Sequence, residues 1–377
     1  MKNLLLSIFS LFNSLWMVAH PVITPNQFQK GSDSDRIEAA IREALKTGVN
    51  SIEIPRFNQQ KQKAEWLIDR AILLPSDFTL ILRDCLVRLS PGTQDNIITN
   101  SGARTRPLSA NKNIRIIGIG NAVLSGGLEP HFNPPGDKGG YKTVGILLYD
   151  TQHFTIDGMR MEETQSWAIS VENGCAYGRI SNIDFKNTGI YPIRPNQDGV
   201  DIRKGCHDIV IENITGITGD DVVALTGLRM NDARQFMQVG GYLPTENDDI
   251  YNITIHNVQA KTTGGHALVR LLNQDGVKMY NIFISNVIET SLEGEPKVAA
   301  AIRIGDDGYS GISLNKLGDT YRIFINNVIS RGTHVVLIKR SLKDSVIKGI
   351  IGFGDKNEPA VKVIGEIENV VIEAQKF

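Results

Sequence analysis

An apolar-x-apolar-x-Asn-apolar unit returns four times in the second half of this chain, at Ile209–Ile214, Ile253–Val258, Ile282–Val287 and Ile323–Val328. Successive units lie 44, 29 and 41 residues apart. Within each, two apolar residues at period two point to one side of an extended strand. The aligned Asn reads as a turn residue, because Asn tolerates the left-handed conformation and its amide can bond stacked neighbours. Repeats that cannot bury their own apolar face must stack on one another. A β-propeller would need tight hairpin chemistry in every repeat, which is missing here. The pattern therefore predicts an all-β parallel β-helix, a solenoid. Shorter alternating runs at 79–82, 114–117, 145–148 and 154–156 extend it upstream. Unequal repeat lengths predict loops inserted on one face, at 128–143, 226–248 and 305–319.

A solenoid exposes strand edges at its ends, and the chain supplies a cover. Ile37, Ala40, Ile41, Ala44 and Leu45 recur at helical spacing behind a Ser34 or Asp35 cap, which predicts a short N-terminal capping helix. A strand follows at Val49–Pro55. Before the helix, Lys2 and the apolar run from Leu4 to Val18 read as a signal peptide over residues 1–19, ahead of one catalytic domain over 20–377. Secreted or periplasmic location is the expectation. After leader removal no segment is long and apolar enough for a membrane span. The balance of 40 basic to 41 acidic residues offers no electrostatic footprint for nucleic acid. Cys85, Cys175 and Cys206 form no CxxC pair and are expected as buried free thiols. A capped solenoid of this size is expected to be a monomer.

The chemistry is concentrated between Asn196 and Leu225. Asp198, Asp220 and Asp221 sit among strand-like apolar runs, with Ile209–Ile211 before the pair and Val222–Leu225 after it. Twenty-two residues separate Asp198 from Asp220, close to one coil, and adjacent coils stack about 4.8 Å apart. The three carboxylates are thus expected on one face. Like charges that close raise at least one pKa, placing a protonated acid beside ionised bases. Acetal hydrolysis needs that pairing, and it needs neither metal nor cofactor. Taken singly, Asp198-Gly199 and Gly219-Asp220 are ordinary turn pairs; the coil spacing favours a site. His266, at the start of another strand, can bond a carboxylate or a sugar hydroxyl. Arg303 can grip a substrate carboxylate or pair with Asp306 or Asp307.

Asn196-x-Asp198-Gly199, Gly219-Asp220-Asp221, Gly265-His266 and Arg303-Ile304 occur in the order of the motifs of polygalacturonase-type glycoside hydrolases, family 28, which the chain resembles over most of its length beyond residue 30. The resemblance implies a right-handed, single-stranded β-helix and hydrolysis of a pectic or other uronate-containing poly- or oligosaccharide with inversion. It implies Asp220 as general acid, Asp198 and Asp221 activating water, His266 orienting the acid side, and Arg303 and Asn196 at the substrate. Trp167 can offer a ring to a sugar or sit in the core. Two motif positions depart: Ala267 replaces a Gly, and Gly305 replaces the Lys that holds galacturonate carboxylate. Arg270, Arg203 or Arg194 can compensate or serve as salt-bridge partners. The insertion at 226–248, with Arg229, Arg234 and Tyr242, can wall off one end of the groove. The alternatives are a polysaccharide lyase or uronate epimerase, which pairs a base with a carboxylate-neutralising group, often calcium, and a non-catalytic carbohydrate-binding β-helix.

Overall fold

The computed structural model describes residues 22–127, 143–187, 196–228, 247–307 and 313–377. The leader at 1–19, Arg194, Arg229, Arg234, Tyr242 and most of the loop predicted at 226–248 lie outside them, as does nearly all of 128–143 and the centre of 305–319. The strands of the described residues form two long sheets, of fourteen and ten strands, and every pairing within them is parallel. This is a parallel β-helix. The repeated units stack in register: Ile209, Ile253, Ile282 and Ile323 are neighbours on successive coils, as are Ile211, Ile255, Ile284 and Ile325. Their side chains are buried and continue one apolar core from Ile23 to Ala360.

The Asn positions behave as their chemistry requires. Asn213, Asn257, Asn286 and Asn327 all have φ of 55–56°, in the left-handed region. Each amide donates to the Asn of the preceding coil, at 3.0 Å from Asn257 to Asn213, 3.2 Å from Asn286 to Asn257 and 2.8 Å from Asn327 to Asn286. The corner does not end the strand, however. His207–Thr218, Ile250–Thr262, Met279–Glu289 and Thr320–Ser330 run through it as bent strands. A second outer ladder, Tyr251, Tyr280 and Tyr321, stacks rings 5.0 Å apart.

The helix spans Asp33–Thr47 and starts earlier than its periodicity suggests, because Ser32 is the N-cap and forms a capping box with Asp35. Gly48, at φ 72°, closes its C-terminus. Ile37, Ala40, Ile41 and Ala44 cover the end of the core, while Leu45 is exposed, a correction to its assignment to the buried face. Arg36 is held there by Asp33 and Asn58 and lies over the Trp66 ring. The first strand is Ser51–Ile54, shorter at both ends than 49–55. All three cysteines are free and buried, as expected. No helix among the described residues is long and apolar enough to cross a membrane.

Candidate active site

The ten-stranded sheet builds the site. Val171, Ile202, Leu225, Leu271, Ile304 and Ile338 stack inward on successive coils. Alternation then turns the neighbouring column outward: Ser170, Asp201, Ala224, Arg270 and Arg303. At the strand entries the chain bends, and there the backbone sets Asp198 beside the acidic pair. Gly199 N–H donates to Asp221 O at 2.9 Å, and Asp220 N–H donates to Gln197 O at 3.1 Å.

The three carboxylates have different environments. Asp221 is buried; its Oδ1 accepts the Ala267 N–H at 2.7 Å, and Arg270 reaches Oδ2 at 3.3 Å. Burial raises its pKa, against the pull of Arg270. Asp198 is also buried, and desolvation, followed by the charges of Asp201, Asp220 and Asp221, holds its carboxyl well above the ordinary range. Asp220 is the open member, with 19% of its side chain exposed. Its Oδ1 accepts the Asp221 N–H at 2.9 Å and lies 3.0 Å from His266 Nδ1. One oxygen from each of Asp220 and Asp221 and one ring nitrogen of His266 lie within 4.8 Å of one another. Gly264 makes this approach possible: a Cβ there would stand 2.4 Å from Gly219 O and 2.6 Å from His266 Cδ2.

The remaining residues singled out in the sequence divide. Arg303 pairs with Asp306, the salt-bridge alternative, and Arg270 joins the same carboxylate at 2.7 Å while also touching Asp221. A continuous chain of charges thus runs from Asp221 through Arg270 and Asp306 to Arg303. Asn196 is exposed in a left-handed turn, φ 60°, and its carbonyl accepts from Ser166 Oγ at 3.4 Å. Arg203 is not at an open subsite. Only 4% exposed, it lies 3.6 Å from Asp201 and 3.8 Å from Glu172, and its guanidinium covers Trp167 at 4.5 Å. That stacking places Trp167 in the packed wall, so its ring is not presented to a sugar face.

Asp201 and Glu172 escape a reading that counts only the three clustered acids. Burial drives Asp201 up to about 8, opposed by Arg203 and aided by Asp221 and Asp220. The available signal was alternation: in Val200-Asp201-Ile202-Arg203 the charges occupy outward positions, yet all four residues are buried.

The fold has solved counterparts. The chain is similar to an endo-xylogalacturonan hydrolase from Aspergillus tubingensis, at 15% identity and TM-score 0.59 over 94% of this chain and 93% of that one. It is similar to an exopolygalacturonase from Thermotoga maritima, at 16% identity and TM-score 0.59 over 94% and 92%. The tailspike protein of E. coli bacteriophage HK620, solved with a hexasaccharide, gives 12% identity and TM-score 0.58 over 93% and 67%. No family model and no curated protein matches the sequence. At these identities the likeness is one of fold, the fold that the motif order implied.

Proposed function

We propose that this protein is a glycoside hydrolase that cleaves a uronate-containing poly- or oligosaccharide by single displacement. One observation carries the reading: Asp220 and Asp221 converge with His266, and backbone pairing sets Asp198 on the neighbouring coil beside them, one of the three carboxylates open and two buried. Asp220, the exposed member, protonates the leaving glycosidic oxygen, and His266 orients it. Asp198 and Asp221 are 4% and 1% exposed, which favours action through a small water over direct attack on a sugar carbon. Both can hold a water and draw its proton, which favours inversion over a covalent intermediate. Arg303 and Arg270 place positive charge beside the cleavage point, which favours an acidic sugar. The solved relatives by fold, named for polygalacturonan and xylogalacturonan hydrolysis, agree with that substrate class. Export of the chain, as residues 1–19 suggest, fits a polymer substrate.

The test is a polysaccharide panel read in two ways. Polygalacturonate and branched galacturonans are expected to gain reducing ends without gaining ultraviolet absorbance. Absorbance rising with cleavage, and lost on chelation, would instead identify a calcium-dependent lyase.

A further inference from the structure

The solenoid is covered at one end and open at the other. The helix Asp33–Thr47 closes the core at the first coil. At the last coil, Val361–Val363 ends the ten-stranded sheet and Ile367–Lys376 ends the fourteen-stranded one. Among the described residues no strand pairs with the outer edge of either. The inward columns continue onto this coil, from Ile338 to Val363 and from Leu342 to Ile367. Ile338 and Leu342 are fully buried, whereas Val363 and Ile367 are 39% and 38% exposed. Ile364 and Val371 are exposed on the same coil, as are the rings of Phe353 and Phe377, stacked 5.8 Å apart just past the last two long strands. The apolar core is thus cut across, next to a ten-residue strand whose unpaired backbone groups can template another strand.

We propose that this end is an interface for a second copy of the chain, with Ile367–Lys376 pairing antiparallel to the same strand of its partner across a two-fold axis. Symmetry favours that occupant. A two-fold contact closes on itself and lets two open core ends cover each other, whereas head-to-tail stacking would have to displace the helix from the first coil. Charge favours it as well. The strand carries Glu368 near its start and Lys376 at its end. Parallel self-pairing in register would set like charges side by side. Antiparallel pairing centred on Ile372 sets Glu368 opposite Lys376 of the partner subunit and Ile372 opposite its own copy. Both charges also hold contacts within the chain, Glu368 with Lys343 at 2.6 Å and Lys376 Nζ with Thr333 O at 3.2 Å, which fix them near the two ends of the strand. Glu373, the other charge on the strand, is balanced by Lys348 at 3.0 Å. The dimer replaces the monomer that the capped end alone suggested.

Sedimentation of the full-length protein from nanomolar to micromolar concentration is expected to show a reversible dimer. Glu368→Lys and Lys376→Glu should each raise the dissociation constant roughly tenfold, because each sets like charges opposite one another at two symmetric places. The double variant, with the two charges exchanged, should recover the wild-type dimer. Ile367→Lys puts a charge into the apolar joint and should leave a monomer whose circular dichroism spectrum is unchanged. A wild-type protein that stays monomeric at every concentration would overturn the second copy as the occupant. A dimer that none of the four variants weakens would form through another face and overturn the proposal equally. A dimer lost in Ile367→Lys, yet as weak in the double variant as in either single one, would uphold the end as the interface and overturn the antiparallel register.

Discussion

Replacing Asp220 with Asn is expected to lower kcat by about 10²–10⁴-fold while leaving the protein folded, because a positioned acid contributes on that order. The substitution is nearly isosteric. An Asn carbonyl can still accept the Asp221 N–H, which Oδ1 now accepts at 2.9 Å. With 19% of the side chain exposed, the thermal midpoint should move little. What disappears is the proton for the leaving oxygen. Because the Asp220 charge also raises Asp198 and Asp221, its removal should move the acidic limb of the remaining pH–rate profile to lower pH. Asp198→Asn and Asp221→Asn should each slow turnover as well, and the three losses should not add, since the groups act as a unit. Near-normal rates in all three variants would remove the cluster from the mechanism.

The second large effect is on stability. Asp201 rises on folding from the ordinary 3.8 to about 8, chiefly through burial. Between those values the folded chain keeps this proton and the unfolded chain has lost it. Unfolding then releases a proton, so the contribution of Asp201 to stability declines as pH rises from about 4 to about 8 and is constant above. Asp201→Asn carries a permanent neutral mimic. It should match the wild type below pH 4 and exceed it increasingly up to pH 8. At 1.36 kcal/mol per pH unit the gain is at most about 6 kcal/mol. Denaturant unfolding at a series of pH values measures it. A variant less stable than wild type at pH 8 would mean that Asp201 is an ionised partner of Arg203, 3.6 Å away.

Much of the frame is legible because its physics is local. Asn213, Asn257, Asn286 and Asn327 announce left-handed corners, and the Ile-x-Ile pairs before them announce an inward face. Stacked coils then convert a spacing of 22 residues into proximity, bringing Asp198 beside Asp220 and Asp221. His266 follows from Gly264-Gly265, although only the folded chain shows why Gly264 is needed. The outward column is what periodicity hides. A charge at an alternating position reads as solvated, so Arg203 passes for a substrate ligand and Asp201 goes uncounted. Neighbouring coils decide otherwise: Glu172 and Trp167 enclose Arg203 from the coil before it. The exposure of Leu45 has a similar origin, since helical spacing marks a stripe but not how much of it the end of the solenoid covers.

The buried carboxylates can act through a water or on the sugar directly, and the two routes differ in stereochemistry. Their burial favours action through a water under the proposed mechanism, and a water attacking from the face opposite the leaving group inverts the anomeric carbon. The direct measurement is proton NMR of the anomeric signals during the first minutes of oligogalacturonate cleavage, before mutarotation mixes them. The first product is expected to carry the anomeric configuration opposite to that of the bond cleaved. First product with retained configuration would contradict it, since one of the two buried carboxylates would then have to reach the sugar.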